Sequence, residues 1–160
     1  MELEKRMYFF VPYQLTGIQQ GIQCGHAALR YAKKYWENPV FIDFRDNWET
    51  WVILNGGSTN SRQHEIDVDP NCKPIGTLNQ IHNQLVENKI DCVDFYEPDL
   101  QDAMTAICFI CDERVFNKEK YEDFEDKLSD DQTPTKQWIK SIGGEKNLFL
   151  RELLKGKRLA

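Results

Sequence analysis

The chain of 160 residues reads as one α/β domain, a partly parallel sheet of four strands with helices packed on it, followed by a helical C-terminal extension. Three observations predict this. Apolar, β-rich segments alternate with amphipathic segments of helical period in the order β-α-β-α-β-β, and strands joined through helices run parallel. The last apolar run, MTAICFIC at 104–111, is continuous rather than alternating, which marks a strand buried on both faces near the centre of the sheet. After Asp112 the composition turns acidic and the strand signals stop, dividing a domain at 1–112 from an extension at 113–160.

The elements follow in order. Residues 6–14, RMYFFVPYQ, are aromatic and β-branched and predict a first strand ending near Pro12. Residues 17–37 predict a long helix whose core face is Ile18, Ile22, Leu29, Ala32 and Trp36, stopped by Asn38 and Pro39. Residues 40–49 fit a short helix or a loop. Residues 50–54, TWVIL, predict the second strand, ended by Asn55-Gly56-Gly57. The polar stretch 58–75, with Pro70 and Pro74, reads as a long loop, a length that usually signals function or mobility. Residues 77–89 predict a second helix with Thr77 as N-cap and Leu78, Ile81 and Leu85 buried. Residues 90–96 make the third strand and 104–111 the fourth. In the extension, Phe116, Tyr121, Phe124 and Leu128 recur at helical spacing and predict an acidic helix within 112–131. Thr133, Pro134 and Gly143-Gly144 then bound a short helix at 133–143.

Composition narrows the function. Twenty-six acids against 20 bases give a formal charge of −6, which argues against a broad, non-specific nucleic-acid binder but leaves room for a local basic site. No apolar run approaches the roughly 18 residues of a membrane span, and the N-terminus lacks a signal-peptide layout. The five cysteines are odd in number, which predicts free thiols in a reducing cytoplasm. Cys108 and Cys111 spell C-x-x-C, but residues three apart on a strand point to opposite faces, so no metal site is expected there. His64 and His82 have no partner spacing. P-loop, Rossmann and nucleophile-elbow motifs are absent, so no cofactor is expected.

The first helix, TGIQQGIQCGHAALRYAKKYW, carries the chemistry. Gly17, Gly21 and Gly25 share one face, at a cost of roughly 1 kcal/mol each relative to Ala in a helix interior. Either the helix packs tightly on the sheet or some other group approaches its backbone. Gln19, Gln23, His26 and Arg30 make a stripe able to bind a polar ligand, unless it is a solvated face. The helix follows the first strand directly, so its N-terminus lies where α/β sheets bind anions. A second candidate is the acidic cluster Asp94, Glu97, Asp99 and Asp102 around the turn between strands three and four. One of these could act as a general base, although Pro98 and Asp99 are also ordinary turn formers.

The string Gln23-Cys24-Gly25-His26-Ala27-Ala28, on a helix just after the first strand, resembles the signature of the type-2 peptidyl-tRNA hydrolase family. The order of elements is similar over roughly residues 6–112. The resemblance implies a three-layer fold, a four-stranded mixed sheet flanked by helices. It also implies an activity: cleavage of the ester joining a peptide or acylated amino acid to tRNA. Thr105 matches the threonine that opens the family's last strand. The match departs from the family in four places, one of them a shorter loop before Thr105. Gly17 and Gln19 stand where the family has lysines, so the expected cation is absent. The turn reads Glu97-Pro98-Asp99-Leu100, with Glu97 in the place of the family's aspartate. Residues 113–160 have no counterpart.

The site this implies puts Glu97, His26 and Thr105 at the reaction centre and Gln19, Gln23, Asp99 and Arg30 around the substrate, with no metal and no cofactor. Its partner is tRNA or peptidyl-tRNA. The alternative is a scaffold that has lost turnover and binds tRNA, a nucleotide or a protein, including a second copy as a homodimer. The basic tail has the charge to dock on the acidic segment of its own chain or on RNA phosphates.

Overall fold

A computed structural model describes residues 2–62, 75–124 and 133–160. Four strands form one mixed sheet in the order β2-β1-β4-β3: β1 (Lys5–Pro12), β2 (Thr50–Gly57), β3 (Cys92–Glu97) and β4 (Ala103–Asp112). β1 runs parallel to β2 and antiparallel to β4, and β3 is antiparallel to β4. The α/β class and the central place of the fourth strand are as the sequence predicts.

Alternation along β1 sends its side chains into two cores. Met7, Phe9 and Val11 pack with Cys24, Ala27 and Tyr31 of α1 (Gly17–Tyr35) and with Phe41 of α2 (Pro39–Asp43). Tyr8 and Phe10 face the other side, where Leu78, Ile81 and Leu85 of α3 (Thr77–Glu87) meet Phe109. Cys108 falls in the first core and Cys111 in the second, on opposite faces of the sheet. The stretch after Asp43 continues as a π-helical turn over Phe44–Trp48.

Of the core face predicted for the first helix, only Ala32, half-buried, packs against the core. Ile18 and Leu29 are 78% and 72% exposed, and Ile22 and Trp36 are also exposed. The buried residues are Gln23, Cys24, Ala27 and Tyr31. Two amphipathic readings of this helix were available, and the small, aromatic and amide side chains fit the close approach to the sheet. The helix ends at Tyr35 rather than residue 37. Thr77 is not the N-cap of α3; Gly76 is, and Thr77 instead donates its hydroxyl to the Gly56 carbonyl at 2.8 Å and accepts the Ser58 N–H. A side chain at Gly57, whose φ is +79°, would collide with that hydroxyl, which explains the glycine.

The extension is shorter in helix than predicted. Only α4 (Glu113–Phe116) is helical in the first part of the acidic segment, and residues 125–131 of that predicted helix lie outside the described residues. α5 covers Lys136–Ser141 with Thr135 as cap, in place of Thr133, and α6 covers Glu145–Leu154. Val115, Leu150 and Leu153 enter the same core as Phe109. The tail then covers the β2 edge: Asn55 N–H donates to the Arg158 carbonyl at 2.9 Å, and Ala160 N–H to the Ile53 carbonyl at 3.0 Å. The basic tail does meet the acidic segment, since Arg151 pairs with Asp123 at 2.6 Å. No helix among the described residues is long and apolar enough to cross a membrane.

Two carboxylates of this extension set its acid sensitivity. Burial opposes ionisation of Asp112, but hydrogen bonds from the Arg114 side chain and N–H outweigh it and hold the pKa below the ordinary 3.8. Asp123 is likewise held down, against its burial, by Lys118 and Arg151. A depressed folded pKa adds stability that is present above the unfolded value and is lost as pH falls through the folded one. Unfolding free energy is therefore expected to drop below pH 3.8, and Asp112→Asn to flatten that drop in denaturant titrations across pH; an unchanged slope would contradict the assignment.

Candidate active site

α1 begins at the carboxyl end of β1 and is closed by a capping box. Thr16 accepts the Gln19 N–H at 3.3 Å, and Gln19 Oε1 accepts the Thr16 N–H at 3.0 Å. One turn further along, Gln23 points at the sheet. It meets two side chains 82 and 74 residues away in sequence. Thr105 of β4 donates its hydroxyl to Gln23 Oε1 at 2.6 Å, and Gln23 Nε2 donates to Glu97 Oε2 at 2.8 Å. Gln23 and Thr105 are 5% and 1% exposed. Buried polar groups without partners are costly, so this chain of bonds fixes all three rotamers at once.

Glu97 ends β3 and caps the 3-10 turn over Pro98–Leu100, where its Oε1 accepts the Asp99 N–H at 3.3 Å. Each carboxylate oxygen thus has one bond, and an ionised carboxylate has about four acceptor positions. Gln101 and Asp102, beyond the turn, both take left-handed φ values of 57° and 54°. Such strain in non-glycine residues gathers at functional sites.

A cleft of about 620 Å³ opens here, within the usual size of a ligand site. Gln19, Asp99 and Thr105 line it, with Gln14, Leu15, Gln101 and Ala103. Gln23 and Glu97 are not in its lining; Gln23 holds Thr105, and Glu97 holds Gln23. His26 and Arg30 lie elsewhere. The His26 ring stacks on Phe95 with centroids 4.6 Å apart, and the Arg30 guanidinium sits 4.7 Å from the same ring. The structure therefore gathers Gln19, Asp99 and Thr105 in one cleft with Gln23 and Glu97 beside it, and leaves His26 and Arg30 on the Phe95 side.

Cys24, inside the signature string, is fully buried, and burial pushes its thiol up to about 12. It stays protonated near neutral pH and is no nucleophile. Among the described residues, no lysine or arginine lines the cleft.

The far wall was missed in the sequence. Thr59, Asn60 and Ser61, read there as part of a long loop, line the cleft and are held in place. Asn79, fully buried at the start of α3, accepts the Asn60 N–H at 2.9 Å, and Thr59 donates to the Met104 carbonyl at 2.6 Å. Ser61 bridges to Ala103. The available signal was Asn79, an amide on the inward side of a helix next to Leu78, which had to find partners in the preceding segment. Most of the remaining predicted loop, including Cys72 and His64, lies outside the described residues.

Gln23→Leu is expected to strand the Thr105 hydroxyl and the inner oxygen of Glu97, costing roughly 1–3 kcal/mol of stability. Denaturant unfolding beside a Thr105→Val, Gln23→Leu double variant checks this, because the double variant removes one stranded group and should recover part of the loss. Comparison of the chain with protein-family models and with curated proteins finds no match.

Proposed function

We propose that this protein hydrolyses the ester between tRNA and a peptide or acylated amino acid. The observation that carries the reading is the hydrogen-bonded series Thr105–Gln23–Glu97 beside a polar cleft at the N-terminal end of α1. Ester hydrolysis needs an activated water and a place for negative charge on the carbonyl oxygen. Glu97, oriented by Gln23 and by the Asp99 N–H, has acceptor positions left for a water. It takes the proton as the water oxygen attacks the carbonyl carbon, and returns it to the ribose oxygen as the ester C–O bond breaks. The Thr105 hydroxyl and the Gln19 amide orient the substrate carbonyl, with the first N–H groups of α1 nearby. Asp99 suits the ribose hydroxyls as an acceptor. With no cation among the described residues of the cleft lining, turnover should run roughly 100-fold or more below that of a site with a positioned lysine.

A second reading has its own support. Both oxygens of Glu97 already accept hydrogen bonds, and the described residues of the cleft include no cation, which suits a scaffold that binds the acceptor end of tRNA without cleaving it. The test is release of N-acetylated amino acid from its tRNA by the purified chain, beside a known hydrolase. Release is the expected result. No release at high enzyme concentration, with binding retained in a filter assay, selects the second reading.

A further inference from the structure

The two edges of the sheet are finished differently. The tail covers the β2 edge through main-chain bonds of Arg158 and Ala160. β3 is the other edge, since it pairs with β4 alone, and among the described residues no backbone bond reaches its outer side. An open edge is a template on which another chain can pair. The Phe95 carbonyl lies 3.5 Å from the Thr105 hydroxyl of β4 and so faces that strand; alternation turns the main-chain groups of Cys92 and Asp94 outward. There the Cys92 carbonyl accepts from two side chains of α1, the Lys34 ammonium at 3.4 Å and the Tyr35 hydroxyl at 3.5 Å. Both bonds are long, and the N–H of an added strand would stand closer, at about 2.9 Å.

This edge is the floor of an open groove of about 530 Å³. α1 walls it with Arg30 and Lys34, α3 walls it with His82 and Val86, and Lys89 follows the end of α3. The cations Arg30, Lys34 and Lys89 outnumber the acids Asp91 and Asp94, and Asp94 is engaged by His82 at 3.3 Å. Among the described residues, the Arg30 guanidinium, which lies on the Phe95 ring, and Lys89 have no carboxylate partner. In a chain of net charge −6 the groove is a local basic strip. A strand added to β3 would send alternate side chains to the two walls. Residues two apart on it stand about 6.6–6.8 Å apart, close to the rise of roughly 6 Å from Arg30 to Lys34. Acids at alternate positions therefore match both cations of α1, and the residues between them meet Val86, which is 55% exposed in the single chain. A second copy of β3 would set this basic strip against itself. RNA carries the anions but has no main chain to pair with the edge. We propose that the open edge of β3 binds an extended acidic segment of a partner protein, in which acids alternate with apolar residues, as a fifth strand.

The groove shares no lining residue with the cleft at Thr105, so its test is independent of the catalytic reading. The probe is a synthetic octapeptide of alternating glutamate and valine, blocked at both ends and titrated against the full chain. Saturable binding is expected, with slowed hydrogen exchange at the Cys92 and Asp94 amides. N-methylation of all glutamates and N-methylation of all valines should act unequally, because only one set of N–H groups faces β3. Methylating that set should weaken binding by about 10-fold or more, the effect of losing several main-chain bonds, and methylating the other should change it little. Arg30→Gln with Lys34→Gln should weaken binding by about 10-fold, as expected for two exposed ion pairs. The circular-dichroism spectrum should not change, since both side chains are exposed. A peptide with lysine in place of glutamate should not bind. No saturable binding of the glutamate peptide at millimolar concentration overturns the proposal. Equal effects of the two methylations also overturn it, because the peptide is then held by charge alone and not as a strand. An oligoribonucleotide of similar length that binds more tightly and displaces the peptide assigns the groove to RNA and overturns it as well.

Discussion

Glu97→Gln is expected to lower ester turnover by about 100-fold or more, the range in which a positioned general base acts. The amide keeps one acceptor oxygen of nearly the same shape but cannot take a proton from water. Glu97 also has a structural duty, because it accepts from Gln23 and caps the turn that carries Asp99. Two measurements separate the roles. A base lowers kcat by far more than any loss of melting temperature accounts for. A purely structural residue lowers the melting temperature and leaves the kcat of the folded fraction intact. Glu97→Asp supplies the control: it keeps the charge but shortens the reach to Gln23, so partial recovery is expected. Asp99→Asn should act on KM more than on kcat, since Asp99 lines the cleft and is proposed to accept from the ribose. If Glu97→Gln turns over normally, the base is elsewhere and the hydrogen-bonded series is only scaffolding.

Much of this arrangement was legible in the sequence, and the exceptions have physical causes. Strand composition and the continuous run at 104–111 place four strands and their order along the chain, because burial on both faces leaves no other pattern. Gln23, Glu97 and Thr105 could be singled out, but their mutual bonds are tertiary, spanning 74 and 82 residues, and no local period reports them. The face of α1 was misjudged because its apolar seam is regular and its true core face contains an amide. Hydrophobicity cannot choose between a face packed on its own sheet and one left for another surface. The wall at 59–61 was missed because the partners that order it, Asn79 and the Met104 carbonyl, stand 19 and 45 residues away in the sequence.

The extension offers the largest expected effect on stability. Arg151 on α6 is 3% exposed, and its guanidinium ties three pieces of chain together. Nη1 donates to the Arg114 carbonyl at 2.6 Å; Nη2 donates to the Tyr121 carbonyl at 2.9 Å and to Asp123 at 2.6 Å. Arg151→Ala removes every one of these donors and leaves two inner carbonyls and part of a carboxylate charge without partners. Breaking a buried ionic arrangement from one side costs about 3–5 kcal/mol, a large share of the 5–15 kcal/mol of a typical domain. Arg151→Lys should recover only part, because a single ammonium cannot serve three acceptors in the fixed fork of a guanidinium. The loss should be global. Val115, Leu150 and Leu153 share one core with Phe109 in the centre of the sheet, so loosening α6 loosens the sheet. Trp138, whose ring lies 5.6 Å from the guanidinium, reports on the extension by fluorescence once Trp36, Trp48 and Trp51 are replaced by Phe, and far-ultraviolet circular dichroism reports on the whole. The two probes should unfold together at a lower denaturant concentration than in the unaltered chain. If Trp138 were released first while the sheet kept its midpoint, the extension would be a separate cooperative unit, and Arg151 a clasp holding it to the domain.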